Sequence, residues 1–141
     1  MGPVRVLLVD DSEAWRKAVR QLLAVGGCIE VVGESPDGPD AIQKSRELRP
    51  CLVLMDIGLP GMNGLETARR IGVTSPNVKI LFLSANRDPD VVREALKTGA
   101  GFLAKADTAH DLLPLIRAIV RNEPFLRFRA LGEDPSNPSE V

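Results

Sequence analysis

Val4-Arg-Val-Leu-Leu-Val-Asp10-Asp11 stands near the start of the chain, and Leu52-Val-Leu-Met-Asp56 repeats its plan further on. Each is a short run of aliphatic residues closed by a carboxylate. The runs are continuous and hardly alternate with polar residues, which is how strands buried on both faces read. Three further runs, 29–32, 78–83 and 101–104, have the same character. Helical spacing fills the intervals over 14–25, 39–48, 65–71, 89–97 and 108–121. Asp88 before Pro89 reads as N-cap and first helical residue. Asn63 with Glu66 resembles a capping box, and Thr108 is expected to cap the last helix. Gly26-Gly27, Gly72 and Gly99 read as stops. Pro114 predicts a kink in the last helix, or an effective start near Leu112. Five βα units in strict alternation predict an α/β fold, a doubly wound five-stranded parallel sheet with five helices. In such sheets ligands bind at the carboxyl ends of the strands, where the winding reverses.

Composition narrows the function classes. The chain has 141 residues, 44% hydrophobic and 26% charged, enough to bury a core without disulfides or a structural metal. Eighteen basic against nineteen acidic residues give a net charge of −1, so direct nucleic acid binding is not expected. No apolar run approaches the roughly 18–20 residues of a membrane span. The start, Met1-Gly2-Pro3-Val4-Arg5, lacks a signal-peptide layout, and a cytoplasmic location is expected. Cys28 and Cys51 read as two reduced thiols. His110 is the sole histidine, which excludes histidine metal clusters and Ser/His/Asp triads, and it reads as a solvated surface residue. Trp15, Val19 and Leu22 form a stripe that reads as core. Arg117, Arg121, Arg127 and Arg129 read as a helix end and a solvated linker. The polar stretch from Leu131, with Pro135 and Pro138, reads as a disordered tail.

The residues that close the strands carry the chemistry. Asp10-Asp11, Asp56, Ser84 and Lys105 are far apart in sequence, yet this fold brings them to one edge of the sheet. Three carboxylates and one ammonium leave a charge of about −2 in one crevice, and each carboxylate pair about 4 Å apart repels by roughly 4 kcal/mol. Such a cluster needs a counter-ion, and an oxygen-only site suits Mg²⁺. One of the aspartates can then attack phosphorus while metal, lysine and hydroxyl neutralise the phosphoryl oxygens.

In these residues the sequence resembles the receiver domains of two-component response regulators, over roughly residues 4–123. The resemblance is carried by the acid pair Asp10-Asp11, by Leu-Val-Leu-Met-Asp56-Ile-Gly58-Leu-Pro60-Gly-Met-Asn-Gly64, by Ile-Leu-Phe-Leu-Ser84, and by Gly99-Ala-Gly-Phe102-Leu-Ala-Lys105. Val31-Val32-Gly33-Glu34 and Asn122-Glu-Pro-Phe-Leu look most like the nitrate-response-regulator subfamily. The resemblance implies a flavodoxin-like strand order 2-1-3-4-5. It implies Asp56 as phospho-acceptor, and Asp10, Asp11, Asp56 and the Gly58 backbone carbonyl as Mg²⁺ ligands. Ser84 would be the hydroxyl switch residue, Phe102 the aromatic switch and Lys105 the phosphate-binding lysine. The implied partners are a sensor histidine kinase or phosphotransfer protein, and a downstream protein or second copy on the face of the fourth helix, fifth strand and fifth helix. The implied organisation is a receiver domain over 1–123 and a linker or tail over 124–141. No helix-turn-helix follows residue 130, and a stand-alone receiver is expected, the alternative being one cut from a longer regulator.

Several positions depart from the family pattern. Phe102 stands where many members have tyrosine, Ala106 where proline often follows the lysine, and Leu59 and Asn63 where methionine and aspartate are frequent. A cis peptide after Lys105 is therefore not expected. A signalling phospho-acceptor that is not an enzyme is the reading preferred over three others. A nucleotide-binding loop fails because Gly58, Gly61 and Gly64 recur every third residue, unlike any phosphate-loop pattern. An Asp-nucleophile phosphatase would carry a second aspartate where Gly58 stands. An interaction module that acts without phosphorylation would have lost an acid or the lysine.

Overall fold

The computed structural model describes residues 2–122; the domain boundary at 123 and the linker or tail expected beyond it lie outside them. Strands and helices alternate as β1 (Val4–Val9), α1 (Glu13–Val25), β2 (Ile29–Ser35), α2 (Gly38–Leu48), β3 (Leu52–Asp56), α3 (Gly64–Thr74), β4 (Lys79–Ser84), α4 (Pro89–Thr98), β5 (Gly101–Ala104) and α5 (Thr108–Val120). A 3-10 turn at Lys105–Asp107 joins β5 to α5. The five strands form one parallel sheet in the order β2-β1-β3-β4-β5.

The continuous apolar runs split between two layers because successive strand side chains point to opposite faces. Leu7, Val9, Val53, Met55 and Phe82 pack with Ala41 of α2, Ala68 and Ile71 of α3, and Val92 and Ala95 of α4. Val6, Leu8, Leu52, Leu54 and Leu81 pack with Val19 and Leu23 of α1 and with Leu112, Leu115 and Ile116 of α5. Each fully buried Leu or Val contributes roughly 1.5–3 kcal/mol, so neither layer is dispensable. From β1 the chain winds first to β2 and then the other way through β3, β4 and β5. The carboxyl ends of β1 and β3 therefore flank the point of reversal.

Four local expectations need correction. β2 runs on to Ser35, past its expected end at Val32, because a bulge lets Gly33, Glu34 and Ser35 pair with Leu7, Leu8 and Val9. Gly72 does not stop α3. It sits exposed in the helix, which continues to Thr74 because Ile71 is buried and the Ser75 N–H donates to its carbonyl. Thr108 does not cap α5. It is the first helical residue, and its hydroxyl donates to the Lys105 carbonyl at 2.8 Å, closing the 3-10 turn. The fifth helix begins at Thr108 and passes through Pro114, so it does not start near Leu112. Other readings stand: Asp88 and Asn63 cap α4 and α3, Gly26 and Gly99 end α1 and α4, and the peptide after Lys105 is trans. Cys28 and Cys51 are free and exposed, and His110 is solvated.

Candidate functional site

Asp10 follows the last residue of β1 and is 3% exposed. Its Oδ1 accepts the Ser12 N–H at 2.9 Å, and its Oδ2 accepts from Lys105 Nζ at 2.8 Å. Its carbonyl accepts from Arg16 Nη1 at 2.5 Å, while Arg16 Nε pairs with Glu34 of β2 at 3.0 Å. Ser12 then caps α1 by accepting the Trp15 N–H, so the chain turns into the helix directly after the acid pair. Asp11 is exposed at the mouth of the crevice.

Asp56 ends β3 and is 7% exposed. Its Oδ1 accepts the Gly58 N–H at 3.1 Å and lies 3.7 Å from Lys105 Nζ. Gly64, the first residue of α3, lies hard against its backbone. A Cβ on Gly64 would stand 2.2 Å from the Asp56 carbonyl oxygen, and the Gly64 N–H donates to the Ile57 carbonyl. The start of α3 is thus seated on the peptide that aims Asp56, an approach only glycine permits.

Oxygens of Asp10, Asp11 and Asp56 all lie within 4.8 Å of one another. Burial holds the Asp56 carboxyl above its ordinary range, and the charges of Asp10 and Asp11 add to the effect; Lys105 and the Gly58 N–H oppose it. One ammonium does not balance three carboxylates. The donor set is all oxygen, which fits a hard divalent cation of the Mg²⁺ type.

Four of the residues singled out in the sequence, Asp10, Asp11, Asp56 and Lys105, therefore meet in one crevice. Ser84 closes β4 beside them, one register position beyond the Asp56–Leu83 pair; its buried hydroxyl accepts the Asn86 N–H at 3.0 Å. Phe102 is 1% exposed in the core beside Phe82, below the crevice rather than in it. Gly58 is exposed, and a Cβ there would meet only Asp56 Oδ1, at an ordinary 3.7 Å. For two residues the sequence reading missed a contact at the site. Trp15 packs against the core, but its ring also lies under the Lys105 ammonium, 4.9 Å from centroid to Nζ. Its position in the first turn after Asp10-Asp11 was the available signal. Gly64 was visible only as one of three spaced glycines.

The sequence pattern of the response regulator receiver domain family matches residues 6–117. The chain is a response regulator receiver domain. This receiver domain is 36% identical over 130 residues to the response regulator protein VraR of Staphylococcus saprophyticus, covering 92% of this chain and 62% of that protein. It is 37% identical over 125 residues to the nitrate/nitrite response regulator protein NarL of Escherichia coli, covering 88% and 58%. It thus spans about three fifths of the curated relatives it matches. The signal receiver domain of a NarL response regulator from Mycobacterium tuberculosis superposes with a TM-score of 0.80 at 31% identity, covering 86% of this chain and 98% of that one. Flavodoxin-like topology, strand order 2-1-3-4-5 and membership of two-component signalling all agree with the reading of the sequence. Among the described residues no helix is long and apolar enough to cross a membrane.

Proposed function

We propose that this receiver domain takes a phosphoryl group from a sensor histidine kinase or phosphotransfer protein onto Asp56 and changes its protein contacts as a result. The observation that carries the reading is Lys105, delivered from the end of β5 to lie 2.8 Å from Asp10 and 3.7 Å from Asp56 at the point where the winding reverses. A carboxylate oxygen of Asp56 attacks phosphorus, the phosphorus–nitrogen bond of the donor imidazole breaks, and the leaving nitrogen takes up a proton. The Gly58 N–H orients the carboxylate, and Lys105 neutralises a phosphoryl oxygen. Asp10, Asp11, Asp56 and the Gly58 carbonyl would hold Mg²⁺, which supplies charge neutralisation at the crevice. The Ser84 hydroxyl, whose oxygen accepts the Asn86 N–H, donates its proton to a phosphoryl oxygen and draws its loop inward. Phe102, already buried and without a hydroxyl, follows by repacking alone. The response is read on the face of α4, β5 and α5, where Arg93, Lys97 and Arg117 are exposed, by a downstream protein or a second copy. The domain acts over 1–123, in the cytoplasm, without binding nucleic acid itself. It is an acceptor rather than a turnover enzyme, losing its phosphate by hydrolysis.

Acetyl phosphate with Mg²⁺ tests this by intact mass. One phosphate should add, Asp56→Asn should abolish the addition, and chelation should prevent it. A phosphate mapped to another residue in the parent, or full labelling in chelator, would overturn the reading.

A further inference from the structure

Lys105 sits among three neighbours: Asp10 Oδ2 at 2.8 Å, Asp56 Oδ1 at 3.7 Å and the face of Trp15 at 4.9 Å from its centroid. Two of these change their charge partners in the reaction proposed above. Asp10 and Asp56 are the carboxylates a divalent cation would claim, and Asp56 becomes esterified to phosphorus. The indole face does neither. An ammonium within about 6 Å of an indole is attracted by the ring's quadrupole whatever ion stands nearby. Trp15 is also fixed in place. Its backbone N–H donates to the Ser12 hydroxyl at the start of α1, and its side chain packs against the buried layer that holds Leu8, Val19 and Leu54. The Lys105 side chain is 23% exposed, so water screens this contact only in part.

We propose that Trp15 is a positioning residue for phosphoryl acceptance: its indole face keeps the Lys105 ammonium over the crevice when the carboxylates are engaged elsewhere, so the lysine meets the incoming phosphoryl oxygen already placed. This rests on the phospho-acceptor reading. Trp15 forms no bond in the step and carries no proton. It is the single tryptophan in the chain, so its emission reports on the lysine's seat.

The test labels the full chain with acetyl phosphate at fixed Mg²⁺ and compares the parent, Trp15→Phe and Trp15→Leu, each with Lys105 intact and with Lys105→Ala. Trp15→Leu should lower the labelling rate about 5- to 30-fold, the span expected for loss of a partly buried cation–π contact. Trp15→Phe should restore most of the rate. In the Lys105→Ala background, Trp15→Leu should have no further effect, because the two residues act as one unit. A purely structural role would give the same fold-loss in both backgrounds. Beryllofluoride with Mg²⁺, a stable mimic of the phosphoryl group, should change indole emission in the parent but not in Lys105→Ala. Equal labelling of parent and Trp15→Leu, or an undiminished loss in the Lys105→Ala background, would overturn the proposal. A parent that takes up no phosphate would instead overturn the acceptor reading, and this inference with it.

Discussion

The two edges of the sheet make opposite use of the same elements. At the carboxyl ends of the strands, Asp10, Asp11 and Asp56 crowd together, and one lysine meets Asp10 and Asp56. At the amino ends, a cleft of about 580 Å³ opens between Arg46, Arg49, Cys51, Asn77, Lys79 and Val120. On size alone the second would be the default binding site. Lys79 of this cleft and the neighbouring Arg5, however, already serve the carboxyl ends of α5 and α2, where backbone carbonyls carry partial negative charge. Lys79 Nζ donates to the Ile119 carbonyl and to Asn122, and Arg5 donates to the Arg49 carbonyl. Among the described residues no carboxylate lines the cleft. Unbalanced charge, rather than room, distinguishes the edge that holds the carboxylates.

The largest expected effect contrasts the two ends of α3. Gly64→Ala should destabilise the domain by roughly 1–3 kcal/mol, as overpacking does, and should slow labelling of Asp56 several-fold. Gly72→Ala, at the other end of the same helix and with nothing within 4 Å of an added Cβ, should instead stabilise by roughly 0.5–1 kcal/mol. Urea unfolding of both variants checks this, and shifts of the same sign would break the contrast between the edges.

Next in size is the lifetime of the phosphorylated form. A Cβ on Gly58 would meet only Asp56 Oδ1, at an ordinary 3.7 Å, so a side chain fits beside Asp56 and would shield it from water. Gly58→Met should slow dephosphorylation several-fold after removal of acetyl phosphate. An unchanged decay would show that water reaches the site by another route.

A smaller effect concerns pH in the metal-free protein. Because the Asp56 carboxyl is held above its ordinary value of 3.8, chiefly by burial, the folded state binds more protons than the unfolded one between that value and the raised one. Stability therefore falls as pH rises through this window, and the ionised carboxylate is destabilising at neutral pH. Asp56→Asn should raise the thermal midpoint at neutral pH, with the advantage fading as pH falls towards 3.8. A constant difference across pH would contradict the assigned cause.

The smallest effect belongs to the roomy edge. Arg46→Ala with Asn77→Ala should leave the labelling rate within about twofold, since neither residue touches the acids. A tenfold change would mean that the two edges are coupled.

What the sequence determined by itself is the order of strands and helices and the residues that close the strands. Runs such as 52–55 have no polar residue to face water, so they must be buried on both sides, and five of them alternating with helices leave one architecture. That architecture brings Asp10, Asp11, Asp56 and Lys105 to one crevice, and their types announce the chemistry. Local signals failed where a tertiary contact outweighed them. Gly72 stays helical because Ile71 is anchored, and Glu34 stays in a strand because β1 offers it a ladder beyond the bulge. Only the tertiary structure decided that Trp15, read as core, also faces Lys105, ninety residues further along the chain. Only it decided that Gly64 alone fits against the Asp56 peptide, and that Asp56 is buried deeply enough for its carboxyl to be raised. These are distances and burial between segments remote in sequence, and no local pattern of residues encodes them.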